Sequence, residues 1–338
     1  MAALSDQLLV VTILAYLAAM LGYAAEYSFG HRGAVARVAD RELVTVGAAT
    51  AVPARADQGV VAPDPSEFDG VRGEPELLDR RERERRNTEL AGRIAVGLTG
   101  LGALAHVGTL VSRGIAAGRV PWGNMYEFVL TVCLVGVVSW LVLLSRRPMA
   151  RHLGLYVTLV LVVLLGFAGM RLYTKAAPLV PALNSYWLKI HVTAAATASG
   201  ILLVGFLAAA LFLLRTGYDN GRRRFPFTLA ERLPAAEGLE RLTFRIHAFA
   251  FPIWTLAIIC GAIWAESAWG RYWGWDPKET WSFIAWVVYA GYLHARATPS
   301  VKRVWATWLA VLGWLTMMVN LYGVNLVISG LHSYAGVK

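Results

Sequence analysis

Apolar residues occur along this chain in long unbroken runs separated by short polar stretches, not in the period-two alternation of half-buried strands. Eight runs, near 7–26, 94–112, 124–145, 153–172, 190–214, 247–266, 280–297 and 304–329, are each long enough to cross roughly 30 Å of hydrocarbon as helix. The pattern predicts an all-α polytopic membrane protein of about eight transmembrane helices. An even number of crossings places both termini on one side.

Composition supports this reading, with 57% hydrophobic residues and a mean hydropathy of +0.51. The first run, Leu8 to Tyr23, lacks the basic leader and small-residue cleavage site of a secretory signal, so it reads as a retained helix. A net charge of +10 would suggest a nucleic-acid partner in a soluble protein. Here, with lipid as the solvent and no nucleic acid implied, it is the placement of the cations that informs. The loops near 27–93, 146–152, 215–246 and 298–303 hold most of the 32 Lys and Arg, led by Arg80-Arg81, Arg85-Arg86 and Arg222-Arg223-Arg224. Positive loops stay inside, so that face is cytoplasmic. The loops near 113–123, 173–189 and 267–279, and both tails, then face outward.

Three segments follow: a first transmembrane helix over 1–26, an insert over 27–93, and a seven-helix core over 94–338. From Pro53 to Arg86 the insert exchanges aliphatic residues for Pro, Asp, Glu, Gly and Arg. It reads as flexible and cytoplasmic, with at most a short helical patch from Pro75 to Arg86. Cys133 and Cys260 both lie inside apolar runs, where free Cys behaves as a small hydrophobe, and no Cys-x-x-Cys-His for covalent haem attachment is present.

The densest chemical signal is a Trp-rich loop over 264–286. Trp264, Trp269, Trp273, Trp275, Trp281 and Trp286 are six of the chain's 13 Trp. A single interfacial Trp is ordinary, because its ring suits the headgroup region, but this clustering goes beyond such enrichment. Gly270, Gly274 and Pro277 break the helix, giving a loop that can lay indole faces along a flat aromatic ligand. Asp276, Lys278 and Glu279 can hydrogen-bond the polar edge of that ligand or neighbouring loops. Asp276 before Pro277 also suits the N-cap of the next helix.

Topology sorts the seven histidines. His31, His152 and His247 fall toward the cytoplasmic side and suit surface or packing roles. His191 begins the fifth span and His332 lies just beyond the eighth, both at the depth of the Trp loop. Two neutral imidazoles can fill both axial positions of a haem iron, whose planar macrocycle needs aromatic walls and an apolar bed. His294 lies roughly five turns below the Trp loop and cannot join that pair; spacing leaves it open between a ligand and a snorkelling side chain. His106, within the second span, suits a packed or hydrogen-bonded role. Asn320 and Asn325 suit hydrogen bonds between helices.

Trp273-Gly-Trp-Asp-Pro-Lys-Glu-Thr-Trp281, with His191 before it and His294 and His332 after it, resembles the haem-handling family of system II cytochrome c biogenesis, of the CcsA/ResC type, labelled CcsB in actinobacteria. The likeness is strongest over 180–338. Pro121-Trp-Gly-Asn-Met-Tyr-Glu-Phe128 also looks like the family's segment at that place. The resemblance implies a bacterial plasma-membrane protein that works with a ResB-type membrane subunit. Together they would carry reduced haem b outward and attach it to apocytochrome c, as a cytochrome c synthase or haem lyase. It further implies that His191 and His332 are the external axial ligands that carry the reaction. His294 would bind a haem lower in the membrane, with its second ligand supplied by the partner. Trp264, Trp269, Trp273, Trp275, Asp276, Glu279 and Trp281 would form the haem shelf. The insert over 27–93 is no part of the family core.

On this reading, the two thiols of a Cys-x-x-Cys-His segment add across the haem vinyl groups, and the protein contributes position rather than a nucleophile. A haem conduit without bond-forming chemistry is the alternative. A membrane b-type electron carrier is a third class, but it pairs His across neighbouring helices at matched depths, which this spacing does not offer.

Overall fold

The protein is described by a computed structural model over residues 1–29, 74–178, 185–328 and 330–331, and these residues form an all-α polytopic membrane protein. Among them the long helices are α1 (Ala2–Phe29), α2 (Glu74–Ala117), α3 (Met125–Arg146), α4 (Gly154–Arg171), α5 (Tyr186–Asp219), α6 (Ala236–Trp269), α7 (Pro277–Ala297) and α8 (Arg303–Met318). A π turn at Val319–Gly323 carries α8 on into Val324–Val327. Seven of these helices hold a stretch long and apolar enough to cross a membrane. The exception is α7, whose 21 residues could span but carry Lys278 and Glu279 at one end and His294 and Arg296 at the other.

Two compact units are distinguished, Leu21–Ala95 and the remainder, Met1–Met20 with Val96–Lys338. In the smaller unit α1 approaches α2 closely at Gly22, where an added Cβ would lie 3.0 Å from that of Ala95. The expected insert over 27–93 falls mostly outside the described residues. Its final part differs from expectation: the helical patch is not short but opens the 44-residue helix α2. From Glu76 to Ala91 the sequence has neither Gly nor Pro, and it spaces opposite charges four apart, as in Glu89 and Arg93. Nothing in it stops the helix before the apolar span begins.

In the larger unit α5 is the central helix, with 72% of its most apolar stretch buried against 50% or less in any other span. Its sequence explains why. Ala194, Ala195, Ala196, Ala198, Ser199 and Gly200 form a small-residue stripe that lets neighbouring backbones approach. At Gly200 a Cβ would come within 2.7 Å of the Val132 carbonyl oxygen on α3, so no larger residue fits there. On its other side α5 runs along α6, while α8 packs against both α5 and α7.

Both α5 and α6 are 34 residues long, about 50 Å as helix, and so overrun the bilayer core. The loop expected over 215–246 is therefore shorter, 220–235, with a turn at Phe227–Ala230. Arg215 fastens it by donating to Asp219 and to the carbonyls of Ala230, Glu231 and Leu233. At the same end Arg296 of α7 is ion-paired with Glu240 of α6.

Candidate functional site

The helix succession brings the start of α5, the end of α6, the start of α7 and the end of α8 together at one end of the larger unit. The Trp-rich segment is built there by strong local signals. Trp264 and Trp269 belong to the last turns of α6, which stops at Gly270 in the left-handed conformation, φ +69°. Asp276 caps α7 as the sequence suggested, with Pro277 in the first turn and a reciprocal bond from Glu279 completing a capping box. Oε2 of Glu279 accepts from the backbone N–H groups of Gly274 (2.8 Å) and Asp276 (3.1 Å), one on either side of Trp275. That clamp holds Trp275 at φ +57°, which costs a non-glycine residue about 1–2 kcal/mol, and leaves its indole 65% exposed.

A cavity of about 190 Å³ opens beneath this segment. Its aromatic wall includes Trp254, Trp264, Trp269, Tyr272, Trp273 and, from the 118–124 loop, Trp122. His191 lines it from α5. Its Nδ1 is 2.8 Å from the carbonyl oxygen of Ala257 on α6, and its ring stacks on Trp264 at 6.2 Å and 10°. A carbonyl only accepts, so Nδ1 carries the proton and the lone pair of the neutral ring sits on Nε2, the arrangement of a metal-ligating histidine with an oriented outer shell. Space for the ring comes from Gly261, where a Cβ would lie 2.7 Å from the imidazole Cε1.

The shelf residues divide. Trp264, Trp269, Trp273 and Glu279 line the cavity with His191. Trp275, Asp276 and Trp281 do not, although Trp275 meets Trp273 edge to face at 5.7 Å. Asp276 is spent on backbone: Oδ2 accepts from Lys278 N–H (3.3 Å) and Oδ1 from Leu331 N–H (2.8 Å). The second contact ties the segment beyond α8 to the Trp loop one residue before His332, which itself lies outside the described residues. His294 is exposed near the opposite end of α7, about 22 Å along the helix from Glu279. No group of three or more metal-binding side chains occurs among the described residues.

Several lining residues were not singled out by the sequence. Asn320 was expected to join helices and does so, donating from Nδ2 to Ser282 Oγ at 2.9 Å, but the π turn of α8 also turns it to the cavity. Such turns gather at functional sites and leave no mark in apolar periodicity. Asn325, also expected to bridge helices, bonds instead to Leu321 of its own helix and lines the cavity too. Nε1 of Trp254 and Oδ1 of Asn320 are buried without a hydrogen bond among the described residues. Polar atoms left so beside an aromatic cavity fit a ligand that brings its own polar groups.

The segment 121–128 forms the neighbouring wall. Asn124 caps α3, and the fully buried Glu127 accepts from Gly123 N–H, Arg119 and the equally buried Arg113. Arg113 also donates to the Thr174 carbonyl and lies 4.6 Å from the ring centroid of Tyr126. These bonds fix the loop that presents Trp122.

Of the remaining histidines two are packed, one is exposed and one lies outside the described residues. His106 is buried with Nδ1 3.4 Å from Tyr16 OH. His247 is buried between Tyr289 and Tyr292, with Nδ1 2.7 Å from the Thr243 carbonyl. His152 is exposed, and His31 is not among the described residues. Cys133 and Cys260 are buried and unbridged.

The profile of the family described as Cytochrome C assembly protein matches residues 122–332, from the Trp122 loop to His332. A cytochrome c biogenesis protein CcsA of Guillardia theta is 35% identical over 257 residues, covering 71% of this chain and 85% of its own length. A protein of the same name from Thermosynechococcus vestitus is 35% identical over 281 residues, covering 71% and 87%. The Gloeobacter violaceus protein is 30% identical over 304 residues, covering 74% and 88%. Among solved structures, Cytochrome c Heme Lyase CcmF aligns with a TM-score of 0.52 at 16% identity, over 95% of this chain and 46% of its own. The chain thus spans less than half of that protein, and the likeness is one of fold.

Proposed function

Because the chain belongs to the cytochrome c assembly protein family and acts in cytochrome c maturation, we propose that its Trp-lined cavity holds haem b for attachment to apocytochrome c. The observation that carries this reading is His191: an imidazole whose Nδ1 is committed to Ala257, stacked on Trp264, in the wall of an aromatic cavity. Haem is here the substrate, and the residues suit it. The walls are apolar and flat, the ligating nitrogen is oriented by a carbonyl, and the chain segment that ends in His332 is anchored to the same loop through Asp276. His191 and His332 are then the two axial ligands.

The cavity, about 190 Å³, is smaller than the roughly 300–1,000 Å³ of enclosed small-molecule sites. A macrocycle held here keeps one edge in the cavity mouth, where another protein can reach it. In the proposed reaction each thiol of a Cys-x-x-Cys-His segment adds across one vinyl group, sulfur to the inner carbon and the proton to the outer one, so no oxidant is consumed. The histidine of the segment replaces His191 or His332 on iron, which frees the product. Trp264 and Trp273 fix the plane of the macrocycle, and Asp276 and Glu279 hold the loop that carries the shelf. Trp269, Trp275 and Trp281 extend that shelf.

In the full assembly a ResB-type subunit provides the ligand opposite His294, whose exposure on α7 leaves it open to a neighbouring chain. We assign the Trp end to the extracytoplasmic face of a bacterial plasma membrane, a reading that the cation-rich loops at the other end support.

The test is spectral and chemical. The purified complex should show low-spin bands that His191→Ala and His332→Ala each convert to high-spin and that the double variant abolishes, with imidazole restoring the single variants. Unchanged bands in both single variants would refute the ligand assignment. Incubation with haem, reductant and an apocytochrome peptide should yield thioether product, whereas a conduit without synthase chemistry yields none.

A further inference from the structure

The two carboxylates that flank Lys278, those of Asp276 and Glu279, are engaged with backbone, but its own ammonium is not. Asp276 accepts from Lys278 and Leu331 N–H groups, and Glu279 from Gly274 and Asp276. Lys278, in the first turn of α7 ahead of its apolar stretch, lines the same cavity as His191, and its ammonium makes no hydrogen bond or ion pair among the described residues. Lys278 is half-buried in a cavity whose wall is mostly indole and apolar, a setting in which an uncompensated charge is costly. Burial accordingly pushes Lys278 down to about 8, against the opposing pull of the Asp276 carboxylate. The other basic groups nearby do not share this position. Arg119 is bound to Glu127, while Arg271 and Lys189 are exposed and absent from this wall.

We infer that Lys278 is the binding residue for a carboxylate of the substrate, pairing through Nζ with a haem propionate inside the cavity. The inference rests on the haem reading above and adds an orientation to it. In haem the two propionates lie on one side of the macrocycle and the two vinyl groups toward the other. Anchoring a propionate at Lys278 sets which way the ring lies in its own plane, a choice that axial ligation by His191 leaves undetermined. The vinyl groups are thereby directed away from the first turn of α7. A charge-assisted bond in a mostly apolar site supplies the discrimination, and its formation offsets the cost of the unpaired ammonium.

Titration of the purified full chain with ferric haem and with haem dimethyl ester, whose propionates are uncharged, tests this directly. The wild type should prefer haem over the diester by about tenfold or more. In K278M and in K278Q, a milder change, haem affinity should fall until the ratio nears one while diester affinity stays, and K278R should keep the preference. A ratio near one in the wild type, or an undiminished ratio in either neutral variant, overturns the inference. Failure of the wild type to bind either porphyrin counts instead against the haem reading itself.

Discussion

Nδ1 of His191 on α5 lies 2.8 Å from the carbonyl oxygen of Ala257 on α6, one turn before Gly261, whose missing side chain makes room for the imidazole. Two helices thus fix the ring, one by carrying it and the other by accepting a hydrogen bond from its N–H and yielding space. The aromatic stack on Trp264 prevents rotation toward the loop.

Gly261→Ala should therefore damage the site more than the fold. The new Cβ would stand 2.7 Å from Cε1 and 2.8 Å from Nδ1, too close for the ring to remain. Overpacking costs about 1–3 kcal/mol, and loss of an orienting outer contact lowers metal-ligand affinity about 10- to 100-fold. Haem titration should show that loss together with a shifted absorption band, while helical content by circular dichroism is retained. Wild-type affinity in this variant would mean that the His191 position is not what binds.

Glu127 is held to a different standard, that of a buried charge network. Arg113 and Glu127 are 1% and 0% exposed, and Arg119 completes the set. Removing one partner from a buried pair leaves an uncompensated charge, at a cost of about 3–5 kcal/mol. Glu127→Ala should lower the thermal midpoint in detergent markedly. Adding Arg113→Met to it should recover part of the loss, because the stranded guanidinium is then gone. If the double variant is less stable than Glu127→Ala, the network is not the cause.

Much of this architecture was legible because lipid demands long apolar helices and because capping chemistry is local. Asp276, Pro277 and Glu279 announce the start of α7 within four residues, and Gly270 announces the end of α6. Membership of the cytochrome c assembly family was readable from the Trp273–Trp281 core. What escaped was tertiary. That Asn320 faces the cavity depends on a π turn, which no periodicity reports. That Lys278 rather than Asp276 or Glu279 is left to meet a ligand depends on which side chains the backbone has already claimed. The extension of α2 back to Glu74 was missed because charge was read as a sign of loop, when four-residue charge spacing also suits a solvated helix.

Asp276 joins the loop to the end of the chain, and it offers a separation between capping and tethering. Oδ2 caps α7, and Oδ1 receives the N–H of Leu331, the residue before His332. Asp276→Ala removes both. Loss of the cap costs about 1 kcal/mol, too little to unfold a protein of this size. Loss of the tether is the larger functional effect, since the segment carrying His332 is no longer held at the Trp loop. The haem-loaded variant should then show the high-spin spectrum of His332→Ala and recover with imidazole, although its own sequence keeps the histidine. Asp276→Asn provides a partial control: its single amide oxygen can still accept from Leu331 while the amide NH2 takes the place of the oxygen that caps α7, so the tether is kept at the expense of the cap. A low-spin spectrum in Asp276→Asn beside a high-spin one in Asp276→Ala supports the tether; low-spin spectra in both would show that His332 reaches iron without it.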